Sequence, residues 1–273
     1  MKPRPNYIGS FWSIAWLLVV ILPLYVMLQA TFQTQSGFAS SGPLSVPHSF
    51  TFENYIEVFQ NGMGLYLWNS FFVTASVVAI VLVLVVPLSY AVVRSQSRVT
   101  TNIFRIFLLG LAVPSQAIIV PMFYLISSLG LYDNLIGVIL PTAAFCFPIC
   151  ALVLSGSMRD ITPDLYEAMS IDGASTIRTF FRLVVPLSRG GISTIIVFSA
   201  MQAWNGFLFP LILTQSANNR VVTLSLFSYQ SQYAGANIPG LLAAVMISLL
   251  PMLGVYLFAR RALINGLMGV GGK

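Results

Sequence analysis

The chain has 273 residues, with 13 Lys or Arg, 7 Asp or Glu and a formal net charge of +6. Hydrophobic residues make up 57% and charged residues 7%, whereas a soluble domain carries about 25% charged residues. This composition excludes a water-soluble domain, and the 2 Cys and 20 Gly exclude disulfide scaffolds and collagen-like chains, so the chain belongs in a membrane.

Long uncharged stretches separate the few charged residues, and the most apolar part of each stretch can cross a bilayer. A spanning helix needs about 20 mostly apolar residues. The pattern predicts an all-α polytopic membrane protein, with a single transmembrane domain over 1–273. Its six transmembrane helices lie near Ile8–Phe32, Tyr66–Val93, Ile103–Ser128, Leu135–Met158, Gly190–Leu213 and Pro239–Ala259. We expect the first to be a retained helix, because its apolar run is too long for a signal peptide.

The basic residues predict the orientation, because cytoplasmic loops of membrane proteins are rich in Lys and Arg. With both termini in the cytoplasm, Arg220 is the only basic residue on the outer side. The opposite orientation would place nearly all of them outside. The sequence therefore predicts an N-in, C-in topology. The net charge of +6 reflects this orientation, and no nucleic-acid partner is expected.

The predicted spans contain almost no ionisable residues, which narrows the function. Proton-coupled carriers, pumps and voltage sensors usually hold acids, His or Arg at membrane depth. Cys146 and Cys150 are interpreted as small apolar residues of the fourth helix, because redox and metal sites need other spacings or further ligands. The tail Gly269–Lys273 lacks the full phosphate-loop pattern. We expect no catalytic residue, metal or cofactor, and an energy source on another chain; a secondary carrier or channel subunit is the alternative.

The one long cytoplasmic loop, Arg159–Arg189 between helices four and five, carries the most informative pattern. Thr162 and Pro163 suit the start of a helix. Gly173 suits a helix end in the left-handed conformation, and Ser175 can cap a second helix that the proline at 186 interrupts. The pattern predicts a helix–Gly–helix bracket lying across the inner surface. From the pattern alone, a solvated connector explains the loop equally well.

The residue types in this loop resemble a known family motif. Glu167-Ala168-Met169 is followed after three residues by Gly173 and after nine more by Leu183-Val184-Val185-Pro186. This resembles the EAA motif of ABC importer permeases, E-A-A, three residues, G, nine residues, I-x-L-P, with three apolar replacements. Strings elsewhere resemble one branch of that family, the smaller second permease of the maltose-type carbohydrate importers: Ser128–Asn134, Ile171–Ser175, Trp204–Phe207 and Arg260–Gly266.

The resemblance implies a type I ABC importer permease fold and a transport subunit rather than an enzyme, in the cell membrane of a prokaryote. It implies a heterodimer with a homologous second permease and two copies of a cytoplasmic ABC ATPase, which hydrolyses the ATP. It also implies an extracytoplasmic solute-binding protein, a sugar substrate and surrounding membrane lipid. In that family the EAA loop is the coupling helix, which lies in a groove of the ATPase. The corresponding residues here are Leu165, Tyr166, Glu167, Ala168, Ile171, Asp172 and Gly173.

Substrate contacts are predicted near the outer half of the fifth helix, because polar groups together with aromatic faces bind sugars. The candidates are Gln202, Trp204, Asn205 and Phe207, with Ser115, Gln116 and Thr142 as weaker ones. An interfacial Trp belt and hydrogen bonds between helices explain these residues as well. The extracytoplasmic loop 214–238 is rich in Asn and Gln. The resemblance implies that it reaches into the binding protein, and an ordinary exposed loop is the alternative.

Overall fold

The computed structural model describes residues 7–42, 50–95, 97–233 and 237–271, without the side chains of Ile8, 228–233 and 258–271. Every regular element in these ranges is helical. The α-helices are α1 (Tyr7–Ala30), α2 (Gln35–Ser41), α3 (Glu53–Gln60), α4 (Met63–Arg94), α5 (Arg98–Leu109), α6 (Ile119–Ser128), α7 (Leu135–Arg159), α8 (Pro163–Ile171), α9 (Thr176–Thr179), α10 (Val185–Leu187), α11 (Arg189–Trp204), α12 (Leu208–Leu213), α13 (Val222–Tyr233) and α14 (Ile238–Gly271). Short 3₁₀ turns lie at Gly110–Ala112, Ser115–Ile118 and Ala217–Asn219, and a π-helical turn lies at Phe180–Val184.

Among the described residues, four helices are long and apolar enough to cross a membrane unaided. They are Gly9–Ala30, Met63–Arg94, Leu135–Arg159 and Ile238–Leu257. Two further pairs of helices pass the same test together but are bent, and the number of spans rises to six if each pair counts as one. The prediction of an all-helical polytopic membrane protein is confirmed, whereas the exact number of spans and the N-in, C-in orientation stay predictions.

The prediction of one continuous third helix over Ile103–Ser128 is wrong. Arg98–Ala112 and Ser115–Ser128 meet at an angle of 94°. The break falls at Pro114, which has no N–H to donate and disfavours helical backbone at the residue before it. Val113 accordingly adopts an extended conformation, with φ −86° and ψ 110°. A bent pair at this point is a broken span or a re-entrant segment, and both place irregular backbone inside the membrane region.

The predicted fifth helix, Gly190–Leu213, is also interrupted. α11 ends at Trp204, and α12 begins only at Leu208. Between them Gly206 donates its N–H to the carbonyl oxygen of Ala203 at 3.3 Å, a tighter pairing than that of an α-helix. The interruption leaves Asn205, Gly206 and Phe207 outside regular helix, and two of them are predicted substrate-path residues.

The described residues form two compact units. One contains those up to Gly64 together with Ser225–Leu250, and the other contains Leu65–Leu224 together with those from Pro251 onwards. In the first unit α3 is fixed to the chain that leaves α1. The side-chain amide of Asn54 donates to the carbonyl oxygens of Thr31 and Gln33, at 2.9 and 2.8 Å.

The core of the second unit is built around α7. Its apolar segment is 56% buried, against 28% for that of α4, so α7 is the more central helix. α4 contributes a stripe of buried valines spaced by four residues, Val73, Val77, Val81 and Val85, as an amphipathic helix does. α11 approaches α7 closely at Gly191, where a Cβ atom would lie 2.7 Å from the side chain of Ser157. Only glycine fits this helix crossing without a shift of the backbone.

Candidate functional site

The loop between the fourth and fifth predicted spans forms two helical arms joined by a glycine turn. We call Pro163–Leu187 the bracket; its first arm is α8 and its second arm is Thr176–Leu187. α8 ends at Ile171, and Gly173 follows it with a φ of +68°, which other residues rarely adopt. The N–H of Ala174 donates to the carbonyl oxygen of Met169 at 2.9 Å, which closes the turn as in a Schellman motif. The predicted helix–Gly–helix arrangement is confirmed.

The second arm starts at a serine cap and ends one residue after a proline. The Oγ of Ser175 accepts a hydrogen bond from the N–H of Arg178 at 3.3 Å, as predicted. The predicted interruption at Pro186 is confirmed to within one residue, because the arm ends at Leu187 and meets α11 at an angle of 75°. A π-helical turn comes directly before this proline, and it changes which carbonyls are paired where proline cannot donate an N–H.

The outer surface of the bracket combines exposed apolar side chains with acids. Leu165, Ile171, Ile177 and Phe181 are 42%, 86%, 72% and 63% exposed. Six of the seven predicted coupling residues are exposed: Leu165, Glu167, Ala168, Ile171, Asp172 and Gly173. Contiguous apolar side chains rimmed by polar ones are typical of protein interaction sites. The bracket therefore presents a surface suited to a partner.

Tyr166, the seventh predicted coupling residue, points into the chain instead. It is only 5% exposed and is the one buried residue of α8. The guanidinium of Arg94, the last residue of α4, lies 4.3 Å from the centre of the Tyr166 ring, in a cation–π contact. Burial raises the pKa of the Tyr166 phenol, although the charge of Arg94 opposes this shift and Tyr90 adds to it. Tyr166 thus attaches the bracket to α4.

The second arm also contacts α4, one turn earlier. The rings of Tyr90 and Phe180 lie 5.3 Å apart in a tilted arrangement. Phe180 also packs edge-on against Phe181, with ring centres 4.9 Å apart. Aromatic pairs at these distances are attractive beyond the area they bury. The last turn of α4 therefore holds both arms of the bracket.

A cavity of about 240 Å³ opens beside the interruption between α11 and α12. Its lining residues are Ser115, Thr142, Phe145, Cys146, Gln202, Asn205, Gly206, Phe207, Leu208 and Phe209. Three of the four predicted substrate-path residues, Gln202, Asn205 and Phe207, are thus brought together. Two of the weaker candidates join them: Ser115, which follows the bend at Pro114, and Thr142 from α7. The cavity combines amide and hydroxyl groups with aromatic rings.

The remaining candidates stand apart from this cavity. Trp204 is 7% exposed and packed within the unit, and it does not line the cavity. Gln116 is exposed, but it does not line the cavity either.

Thr142 lines the cavity, and its hydroxyl is already used as a donor. Its Oγ1 donates to the carbonyl oxygen of Val138 at 2.7 Å, so this oxygen is left as an acceptor for a ligand.

On the predicted outer side, Asp133 ties the chain before α7 to the loop after α12. One carboxylate oxygen of Asp133 accepts the N–H groups of Gln215 and Ser216 at 2.8 and 3.0 Å. It also accepts the hydroxyl of Ser216 at 3.1 Å, and the side-chain amide of Asn219 donates to the backbone carbonyl of Asp133. These N–H donors are the largest cause that lowers the pKa of Asp133 to about 2. Asp133 has a φ of 53°, an uncommon conformation for a residue other than glycine.

The same loop is held from α4. The side-chain amide of Asn69 donates to the carbonyl oxygens of Asn218 and Arg220, at 2.7 and 2.8 Å. The hydroxyl of Ser70 accepts the N–H of Val222 at 2.8 Å. Both Asn69 and Ser70 are buried, so these bonds are shielded from solvent. Residues 214–222 are therefore fixed at both ends; residues 234–236 of the predicted loop 214–238 lie outside the described residues, as do the side chains of Arg260–Gly266.

Sequence reasoning missed the residues that hold these segments. Arg94 was predicted only to lie on the inner side, like every basic residue except Arg220, and Asp133 was named only within a string that resembles a family. Their partners are distant in the chain: Asp133 bonds residues 82 to 86 positions away. The one local signal was the acid itself, because a carboxylate in a loop often binds backbone N–H groups.

Comparison with known proteins gives a consistent family assignment. Residues 84–264 match the family described as binding-protein-dependent transport system inner membrane component. The chain is 32% identical over 251 residues to the diacetylchitobiose uptake system permease protein NgcG of Streptomyces coelicolor, covering 91% of this chain and 83% of the relative. It is 31% identical over 281 residues to the glucose import system permease protein GlcU of Saccharolobus solfataricus, covering 99% and 97% of the two chains.

Solved structures show the same fold. A crystal structure of a bacterial ABC transporter involved in the import of the acidic polysaccharide alginate contains a chain similar to this one. The TM-score is 0.80 at 19% identity, with 96% of this chain and 98% of that chain covered. A second structure, of a bacterial alginate ABC transporter in complex with an alginate pentasaccharide-bound periplasmic protein, gives a TM-score of 0.67 at 17% identity, covering 93% and 91%.

Proposed function

Because this chain belongs to the family of inner membrane components of binding-protein-dependent transport systems, we propose that it is the sugar-importing permease subunit whose bracket couples transport to an ATPase. The chain is a transport subunit of the membrane, and the ATPase is a separate chain. We propose the partners that the resemblance implies: a homologous second permease, two ATPase copies and a solute-binding protein. Relatives named for diacetylchitobiose and glucose support a sugar as the substrate class.

The observation that carries the proposal is the exposed apolar surface of the bracket. Ile171 and Ile177 flank the glycine turn and are 86% and 72% exposed, which is costly in the cytoplasm, where the bracket is predicted to lie, unless another protein covers them. We assign the contact with the ATPase to Leu165, Glu167, Ala168, Ile171, Asp172 and Gly173, with Tyr166 fixing α8 from behind. Glu167 and Asp172 suit a basic rim on the partner, because opposite charges across an interface favour correct docking.

Substrate passage is assigned to the cavity beside the α11–α12 interruption. The amides of Gln202 and Asn205 can donate to and accept from sugar hydroxyls, and Ser115 adds a hydroxyl. The rings of Phe145 and Phe207 offer apolar faces against which a sugar ring can lie. Trp204 is proposed to support this wall from behind, since its side chain does not reach the cavity.

Substitutions at the bracket test the coupling role. Glu167→Lys places a positive charge opposite the basic rim proposed for the partner. Gly173→Leu places a bulky side chain on a left-handed backbone, which costs about 1–2 kcal/mol. In the assembled complex, each is expected to lower sugar uptake per ATP hydrolysed by about tenfold or more. Gly173→Asn is the matched control, because Asn tolerates this conformation and should retain most of the coupling.

The measurement is uptake of labelled sugar together with ATP hydrolysis in proteoliposomes that contain both permeases, the ATPase and the binding protein. Assembly is checked by copurification of the ATPase with the permease pair. Normal uptake per ATP in an assembled Glu167→Lys or Gly173→Leu complex would refute the coupling role of the bracket.

A further inference from the structure

α4 contacts both of the surfaces to which partners are proposed to bind. Its last turn holds the bracket through Arg94 and Tyr90, and its first turns hold the outer loop through Asn69 and Ser70. All these contacts lie within the second compact unit. We propose that α4 transmits conformational change between the ATPase-binding bracket and the outer loop 214–222, with these four side chains as positioning residues. The proposal rests on the proposed function.

The contact at the bracket end links any movement of α8 to α4. Tyr166 is the one buried residue of α8, and Arg94 lies over its ring at 4.3 Å. If α8 moves together with the ATPase, Tyr166 must therefore either slide along the end of α4 or pull α4 with it. Phe180 on the second arm meets Tyr90 one turn away, so both arms act on the same segment of α4.

The contact at the other end is made of hydrogen bonds with little freedom. Asn69 uses both N–H groups of its amide, one to the carbonyl of Asn218 and one to that of Arg220. Ser70 adds a bond from the N–H of Val222. Because Asn69 and Ser70 are buried, breaking their bonds to the loop leaves a polar group of α4 unsatisfied. The outer loop therefore follows any displacement of this end of α4.

The helix between the two ends is continuous. α4 runs without interruption from Met63 to Arg94, even though Pro87 lies inside it. The distance along the axis from Asn69 to Arg94 is roughly 37 Å at 1.5 Å per residue, which exceeds the roughly 30 Å apolar core of a bilayer. The valine stripe at 73, 77, 81 and 85 packs this length into the core. This packing favours movement of α4 as one body.

The test measures how strongly the solute-binding protein stimulates ATP hydrolysis in the reconstituted complex. Arg94→Met removes the cation but keeps the length of the side chain, and Asn69→Ala removes both outer hydrogen bonds. Each is expected to lower the stimulation about threefold to tenfold, with the basal ATPase rate within about twofold of the unmodified complex. Arg94→Lys keeps a cation over the ring and should retain most of the stimulation. Ser70→Ala serves in place of Asn69→Ala if that complex does not assemble.

The double variant distinguishes one route from two independent effects. If α4 carries the signal, Arg94→Met combined with Asn69→Ala loses no more stimulation than the more severe single variant. Unchanged stimulation in both single variants, or losses that multiply in the double variant, would overturn the inference. Failure of the proposed function looks different, because the unmodified complex would then show no stimulation by the binding protein at all.

Discussion

Asp133 is the residue on which the geometry of the outer loop depends most directly. Its carboxylate accepts hydrogen bonds from the N–H groups of Gln215 and Ser216. Asp133→Ala removes these bonds, so the two amides are expected to exchange their hydrogens about tenfold faster or more. Asp133→Asn keeps an acceptor oxygen without the charge and should give an intermediate rate. Hydrogen exchange followed by mass spectrometry measures both; equal rates in Asp133→Ala and the unmodified chain would contradict this role.

The pH dependence of this contact follows from the lowered pKa of Asp133, about 2 in the folded chain against an ordinary value of 3.8. A carboxyl whose folded pKa is depressed stabilises the fold fully above its ordinary pKa and loses this effect as the pH falls through the folded value. We therefore expect the protection factors of Gln215 and Ser216 to stay constant from pH 8 to about 5. A marked decrease within that range would show that another group controls the loop.

Tyr166 offers a second test at the scale of single residues. Its hydroxyl is buried and has no hydrogen-bond partner among the described residues, so Tyr166→Phe removes an unsatisfied group and keeps the ring under Arg94. Tyr166→Leu removes the ring. We expect trypsin to cleave the bracket at Arg178 or Arg182 about fivefold faster in Tyr166→Leu, because α8 then lacks its buried attachment, and at an unchanged rate in Tyr166→Phe. Equal rates in Tyr166→Leu and Tyr166→Phe would exclude this anchoring role.

Among the elements, the interruption between α11 and α12 is the one that creates a cavity. Asn205→Leu removes an amide from its lining and is expected to lower sugar uptake about tenfold, while the binding protein still stimulates ATP hydrolysis. Gln116→Leu is the matched control, since Gln116 is an exposed amide that does not line the cavity. It should leave uptake within about twofold. Equal losses of uptake in both variants would place the sugar elsewhere.

Elements set by local chemistry could be predicted from the sequence, and those set by distant partners could not. The turn of the bracket depends on Gly173 and Ser175 alone, and both adopted the predicted roles. The 94° bend at Pro114 was missed because an apolar run reads as one helix when its neighbours are unknown. Not every proline breaks a helix: Pro87 lies within α4, whereas Pro114 lies at the 94° bend and Pro186 lies one residue before the end of the second arm.

The same distinction applies to the candidate site. Gln202 and Asn205 were predicted to contact the substrate; the structure places them in one cavity, and the contact itself stays a prediction. Trp204 follows the same sequence pattern but is turned away, because the side a residue faces depends on where α11 ends. Arg94 and Tyr166 are 72 positions apart in the sequence, so no local sequence pattern predicts their contact.

For the whole molecule, the N-in, C-in topology is the prediction that most needs an experiment. The bracket and the loop at 217–219 are expected on opposite sides of the membrane. Thr176→Cys should react with a membrane-impermeant maleimide only from the cytoplasmic side, and Ala217→Cys only from the outside. The native Cys146 and Cys150 are each 1% exposed, so background labelling should be low. Labelling of both positions from one side would contradict the topology.

The central claim is that this chain transports sugar only when a separate ATPase acts on its bracket. The most direct measurement is sugar accumulation in proteoliposomes with the permease pair and binding protein, compared with and without the ATPase and ATP on the bracket side. We expect accumulation only when both the ATPase and ATP are present, and its loss in Glu167→Lys although the complex still assembles. Sugar accumulation by this chain without any ATPase would contradict the account.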